Sequence, residues 1–555
     1  LSVGLLGAAG ATLALRARDP EAARQARVAA LLEAARAAYE VGRYQNGLEA
    51  CEEALALDPR EPRAYLARSL GEVSLERLDD AQRDLERALE LDPDYAEAYA
   101  ERGLRSLVRG RHADAIADYD RAIQLGLRRA RHYVNRATAK VQLGRLAEAL
   151  ADCDEALRVE PGHALAFANR ADAKRLLGET ELALEDYDRA IAGGVRDAGV
   201  YTNRGQCKTT LGRDEEALAD CDLALGVDPN CVAAYAGRGA CNLSLGRYAE
   251  ALADCERAIE LGARSGSVFA NRGTARAELG QVDEALADFD RAVAAAPENA
   301  RLLTQRAVYK GQLGRHAEAL EDLSRALARD PGASRAYLQR GVSEGALGRH
   351  QHAIASLSEA LRLAPTDPEA YARRGSSLAS LGRYDEAIVD YDRALALDPT
   401  LAEVYSLRGL SKAELGLGTE GLADQDRALA QAPDCVMAHF NRGALLVVLE
   451  RDREALEAFG RAIALDPRHG TAYLQRGKVL ARLGRHAEAV ADFDRAQALG
   501  RRLAELFVLR GTSHGALGHE VQALTDYDTA LGLGLPAAEA ARVRAQRAEL
   551  VAPRR

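Results

Sequence analysis

Three short stretches of the chain carry residue types that do chemistry elsewhere. Gly416 to Gly421 reads GLGTEG, the spacing of a dinucleotide loop, and both GVSEG at Gly341 to Gly345 and GTSHG at Gly511 to Gly515 have the spacing that presents a serine nucleophile. A dinucleotide loop needs a strand before it and a βαβ unit around it, and a nucleophile elbow needs a strand-to-helix turn. All three stretches sit inside helical periodicity, so neither chemistry is expected. His112, His316, His350 and His486 recur far apart along the chain and make no ligand spacing for a metal. The eight cysteines include no Cys-x-x-Cys pair. They read as small buried hydrophobes, a pattern that favours a reducing compartment. No catalytic residue, metal, cofactor or small-molecule substrate is expected.

What positions these residues is a period of 34. Residues 28–537 make fifteen successive copies of one unit with no insertion or deletion. The eighth place is always Gly, Ala or Ser (Gly103, Ala137, Gly341), the twentieth Ala or Gly, and the twenty-seventh Ala in every copy, from Ala54 to Ala530. In Pro368 to Leu401 the unit reads as two short amphipathic helices, one to about Leu381 and one from Asp385 to about Leu397. They are broken at Gly382-Arg383, and Asp398-Pro399 stops the second. Gly tolerates the turn and Pro cannot continue a helix, so both ends are written into the sequence. Small residues let the two backbones approach while Tyr371 and Tyr391 fill the space beside them. One such hairpin has too little core to stand alone and must stack on its neighbours.

An aromatic at the fourth place, small residues at eight, twenty and twenty-seven, and Pro near the end resemble the tetratricopeptide repeat family. The resemblance covers about nine tenths of the chain. It implies an all-α fold, an α-solenoid in which stacked antiparallel helix pairs form a right-handed superhelix, with a non-enzymatic protein-interaction role. The concave groove of such a superhelix binds partner proteins as extended peptide segments.

Two ladders run through the copies. The seventh place is Arg in fourteen consecutive copies, Arg68 to Arg510, and the second helix usually carries Asp ahead of its core residue, as in Asp118, Asp186, Asp288 and Asp390. An Arg fork meeting a carboxylate would fix the register between helices; a row of Arg that binds a ligand is the alternative. The sixth place holds Asn135, Asn169, Asn203, Asn271, Gln305, Gln339, Asn441 and Gln475. In the family this place faces the groove, and the row resembles the asparagine ladder of the O-GlcNAc transferase superhelix. There, amides hydrogen-bond the backbone of an extended peptide whatever its sequence. Gly237, Arg373 and Leu407 interrupt the row, and an amide merely tolerated on a surface is the alternative. The second and fifth places carry no Lys, so the family's carboxylate clamp for chaperone C-terminal tails is absent and those tails are not expected as partners.

Net charge is −10, and the two ends of the chain carry +2 and +3, which leaves −15 on the repeats. Such an array lacks the clustered Lys and Arg that nucleic acid requires. Residues 1–18 form an apolar segment ending in Arg16 and Arg18, and its first fifteen residues are uncharged. The reading adopted is the tail of a membrane helix that continues upstream, with the array on the cytoplasmic face. A signal-peptide remnant and an apolar helix covering the first copy are the alternatives. Residues 19–27 open a leading helix at Asp19-Pro20, and residues 538–555 form a capping helix with a basic tail. The second function considered is the regulatory region of a larger membrane-anchored signalling enzyme, for example a bacterial serine/threonine kinase with its catalytic domain upstream.

Two copies depart from the pattern. In Ala402 to Cys435, Gly418, Gly421 and Gln425 replace aromatic, Ala and aromatic, and a soft joint is expected. In Val436 to His469, Glu450 replaces the turn Gly and the first helix is unusually apolar. Met437, Phe440, Val447 and Val448, beside Asn441 and followed by Leu474 and Gln475, are expected to form a groove-facing apolar contact site. The alternative is that they repack inward.

Overall fold

The computed structural model describes residues 20–551. The segment 1–15, with the membrane, signal and covering readings attached to it, lies outside the described residues, as does the end of the basic tail. Among the described residues all regular structure is α-helical and comprises 31 helices. No helix among them is long and apolar enough to cross a membrane.

Each copy folds as the sequence dictates. In the eleventh copy the helices are Pro368–Ser380 and Tyr384–Leu397. Asp367 caps the first, its Oδ1 accepting from the backbone N–H of Glu369 at 2.9 Å and of Ala370 at 3.2 Å, with Pro368 at the first helical position. Gly382, at φ +75°, ends that helix while the Arg383 N–H returns to the Leu378 carbonyl at 3.0 Å. Gly375 is required by contact: a Cβ there would lie 2.8 Å from the Tyr391 ring. The turn place is left-handed throughout, and in two copies a non-glycine occupies it, Glu76 at φ 61° and Glu450 at φ 57°.

Paired helices stack copy upon copy into an α-solenoid. Packing groups the copies into two compact units, Leu1–Arg264 with Asn271–Ala285, and Ser265–Ala270 with Leu286–Arg555. Within each unit the main contacts among the described residues run between helices of one copy or of adjacent copies, so the core is distributed rather than central. In the first unit the buried layer is built from Ala at the twentieth and twenty-seventh places around a ring or thiol, as with Ala183, Tyr187 and Ala190. Six of the eight cysteines are buried and all are free. Burial pushes the Cys153 thiol up to about 12, as befits a packing residue rather than a nucleophile.

In the second unit the twelfth copy, where a soft joint is expected, compensates for its substitutions. Gln425 is fully buried, yet its Oε1 accepts from the Ser406 hydroxyl at 2.9 Å and its Nε2 donates to the Ser406 carbonyl at 2.9 Å. A Cβ on Gly421 would stand 2.5 Å from the Gly409 carbonyl oxygen. At the Gly421 and Gln425 places the missing methyl and ring are replaced by direct backbone approach and a satisfied amide, so this pair is closely packed there. The leading and closing helices span Pro20–Glu40 and Ala537–Val551, and Val543 of the latter is fully buried against the last copy.

Candidate functional site

The arginine ladder is structural and reaches further than the sequence indicated. Arg170 lies over the Phe167 ring, 5.5 Å from its centre. Its Nε donates to Asp186 Oδ2 at 2.7 Å and Nη2 to Asp186 Oδ1 at 2.8 Å, closing the two helices of its copy. The remaining Nη1 donates to Asp154 of the preceding copy at 2.7 Å. Arg136, Arg204 and Arg238 repeat this three-way contact in the first unit, and Arg408 and Arg510 in the second; Arg306 makes both carboxylate contacts, but the fourth place of its copy is Leu303 rather than a ring. In these copies the guanidinium therefore ties partner helix and neighbouring copy together, with a ring contact as well in all but Arg306. The signal was present: Asp-x-Asp recurs in the second helix, its first carboxylate serving the same copy and its second the next.

A lysine joins several of these buried carboxylates, and Lys174 Nζ donates to Asp186 at 2.8 Å. Burial works against the charge on Asp186, but the bonds from Arg170 and then Lys174 outweigh it and hold the carboxyl below its usual range. The same balance holds for Asp322 with Arg306 and Lys310, and for Asp424 with Arg408 and Lys412.

The amide row divides into two classes. Asn135 donates to the Tyr119 hydroxyl at 3.0 Å, and Asn169 to the Val134 carbonyl at 3.1 Å and Thr138 Oγ1 at 2.6 Å. Asn203 donates to Asp172 at 2.9 Å and Asn441 to Ser406 Oγ at 3.1 Å. In each the NH₂ group is spent on the preceding copy, while the amide oxygen accepts nothing among the described residues and is not buried. Gln305, Gln339 and Gln475 are half-buried and make no side-chain hydrogen bond among the described residues; Asn271 is half-buried as well.

The thirteenth copy does not present its apolar residues as one surface. Phe440 packs between Phe459 and His469, with ring centres 5.7 and 5.1 Å away, and Val447 leans on the same core. Leu474 belongs to the core at 3% exposure, so it is not offered to a partner. Inward repacking accounts for these three. Met437 and Val448 remain exposed, at 53% and 71%. A wider apolar concavity, of about 650 Å³, lies on the first three copies among Leu70, Val73, Leu104 and Val108. Large aliphatics at the ninth place of two adjacent copies, with Val at the twelfth place of one and the thirteenth of the other, were the signal for it.

Comparison with known proteins bears on this geometry. The model described as Tetratricopeptide repeat matches residues 66–130, 134–199, 271–334, 304–368 and 445–503. Further repeat models match 198–231, 232–262 and 375–416. The chain belongs to the tetratricopeptide repeat family. As a tetratricopeptide repeat protein it is a protein-interaction scaffold. No curated protein sequence matches it significantly. Among solved structures it is similar to the APC/C hetero-tetramer Cut9-Hcn1 (14% identity, 82% of this chain and 96% of that chain, TM-score 0.48). It is also similar to yeast Tom70 (17%, 82% and 96%, 0.35) and to a tetratricopeptide repeat protein of Parabacteroides merdae (22%, 46% and 99%, 0.35).

Proposed function

We propose that this protein is a non-enzymatic scaffold that binds extended segments of partner proteins along the face made by the first helices of its copies. The observation that carries the reading is the orientation of the sixth-place amides. With their NH₂ groups fixed on the preceding copy, Asn135, Asn169 and Asn203 hold a series of amide oxygens open and pre-aimed. An extended segment carries backbone N–H groups that need acceptors, and a fixed acceptor loses little freedom on meeting one. Backbone recognition of this kind accepts many sequences, and selectivity falls to the side chains beside the row.

The test is selection of peptides from a displayed random library on the full chain, followed by titration of the selected peptides against N169A/N203A. Affinity is expected to fall about tenfold, equivalent to about 1.4 kcal/mol. Unchanged affinity would remove the row from the binding mechanism.

A further inference from the structure

The amides of the ninth and tenth copies, Gln305 and Gln339, differ from the engaged Asn residues in having both ends free, and Gln305 lies beside uncompensated positive charge. A cavity of about 460 Å³ between these copies is lined by Arg301, Thr304, Gln305, Asp330 and Arg335 over a floor of small residues that includes the fully buried Ala336. Arg301 and Arg335 are exposed, and neither side chain makes an ion pair or hydrogen bond among the described residues. Most arginines of the chain are otherwise engaged, so two idle guanidiniums converging on one concavity stand apart. The single carboxylate there, Asp330, already turns one oxygen to the Gly332 N–H at 2.9 Å. Repeats that carry −15 overall thus hold a locally basic, amide-bearing pocket.

We infer that this pocket is a selectivity site for partner segments bearing an acidic side chain, whose carboxylate seats between Arg301 and Arg335 while Gln305 bonds the adjoining backbone. Guanidinium forks match a carboxylate, and a primary amide both gives and accepts to a peptide group. The acidic group is an internal side chain: the row continues to Gln339 in the next copy, so a segment laid along it passes through the pocket rather than ending there. Aliphatic floor residues leave room for the stem of Glu or Asp and add no competing charge. The inference rests on the proposed binding of extended segments and assigns one place on that face its partner chemistry.

The experiment uses the full chain and fluorescein-labelled peptides of about eight alternating Glu and Gly residues with an amidated C-terminus, against the same peptide with Gln for Glu. The Glu peptide is expected to bind at least about tenfold more tightly at low salt and to lose that advantage as ionic strength rises. R301Q/R335Q should abolish the preference, with melting unchanged because both side chains are exposed and unpaired. R131Q, at the same place of the fourth copy, should leave it intact. Equal binding of the two peptides, or a preference that survives R301Q/R335Q, overturns the acidic pocket while leaving the amide-row reading standing. If neither peptide binds while library-selected segments still do, the pocket is likewise refuted; if no extended segment binds at all, the reading beneath it falls too.

Discussion

At the scale of single residues, charge is placed for cohesion. Asp186 is almost fully buried and accepts from Arg170 and Lys174, so removing its charge strands two cations. Asp186→Asn should lower stability by about 3 kcal/mol, the usual cost of breaking one side of a buried ionic cluster, read by denaturant unfolding. The depressed carboxyls of Asp186, Asp322 and Asp424 give a pH dependence of definite sign. Their folded values lie below the unfolded ones, so their contribution is fully present above the unfolded value of about 4 and is lost as pH falls through the folded values. Melting temperature should hold between neutrality and about pH 5 and drop below about pH 4; a flat profile to pH 2 would refute it. The Arg170 to Asp186 pairing was legible in the sequence because both partners lie in one copy. The Arg170 to Asp154 bond left only the second Asp of Asp-x-Asp as a trace, since reading it requires knowing how neighbouring copies face each other. The engaged NH₂ groups of the Asn row escaped for the same reason.

At the scale of helices, turn chemistry and close approach decide which copies are strained. Glu450 adopts a left-handed φ where nearly every other copy has Gly, and a side chain there costs about 1 kcal/mol. Glu450→Gly should therefore raise stability by about that amount. Glu76→Gly, at φ 61°, should do the same in its own copy. The departure at Glu450 could be seen in the sequence, and its conformational consequence followed from the place alone. The twelfth copy could not be read this way. Loss of two aromatics and a methyl suggested looseness, whereas Gly409 and Gly421 let the backbones meet and Ser406 satisfies Gln425. Gly421→Ala should cost about 2 kcal/mol by overpacking, and amides of Gly418–Gln431 should exchange as slowly as those of Tyr384–Leu397. Faster exchange in Gly418–Gln431 would restore the soft joint. Phe440 belongs with these packing residues: Phe440→Ala should cost about 3 kcal/mol, more than an exposed contact residue would.

At the scale of the whole molecule, repetition governs how a perturbation spreads. The fold class was legible because a 34-residue period fixes helix, turn and stop in every copy, and such pairs have only their neighbours to pack on. Partner chemistry was much less legible, since it depends on which side chains the packing leaves idle, as at Arg301 and Arg335. Stability in an array is a sum of copy terms and neighbour terms, so damage at an end should remain there. Val543 of the closing helix is fully buried beside Leu506 and Tyr527. Val543→Asp places an unpaired charge in that contact, at a cost of about 3 kcal/mol or more. Hydrogen exchange in Glu520–Leu533 should then accelerate strongly, while Pro368–Ser380 and Tyr384–Leu397 keep wild-type rates. The main unfolding transition should keep its midpoint, with a small early transition appearing before it. If the substitution instead lowers protection evenly through Tyr384–Leu397, the copies are coupled well beyond their neighbours. The additive description would then fail for this protein.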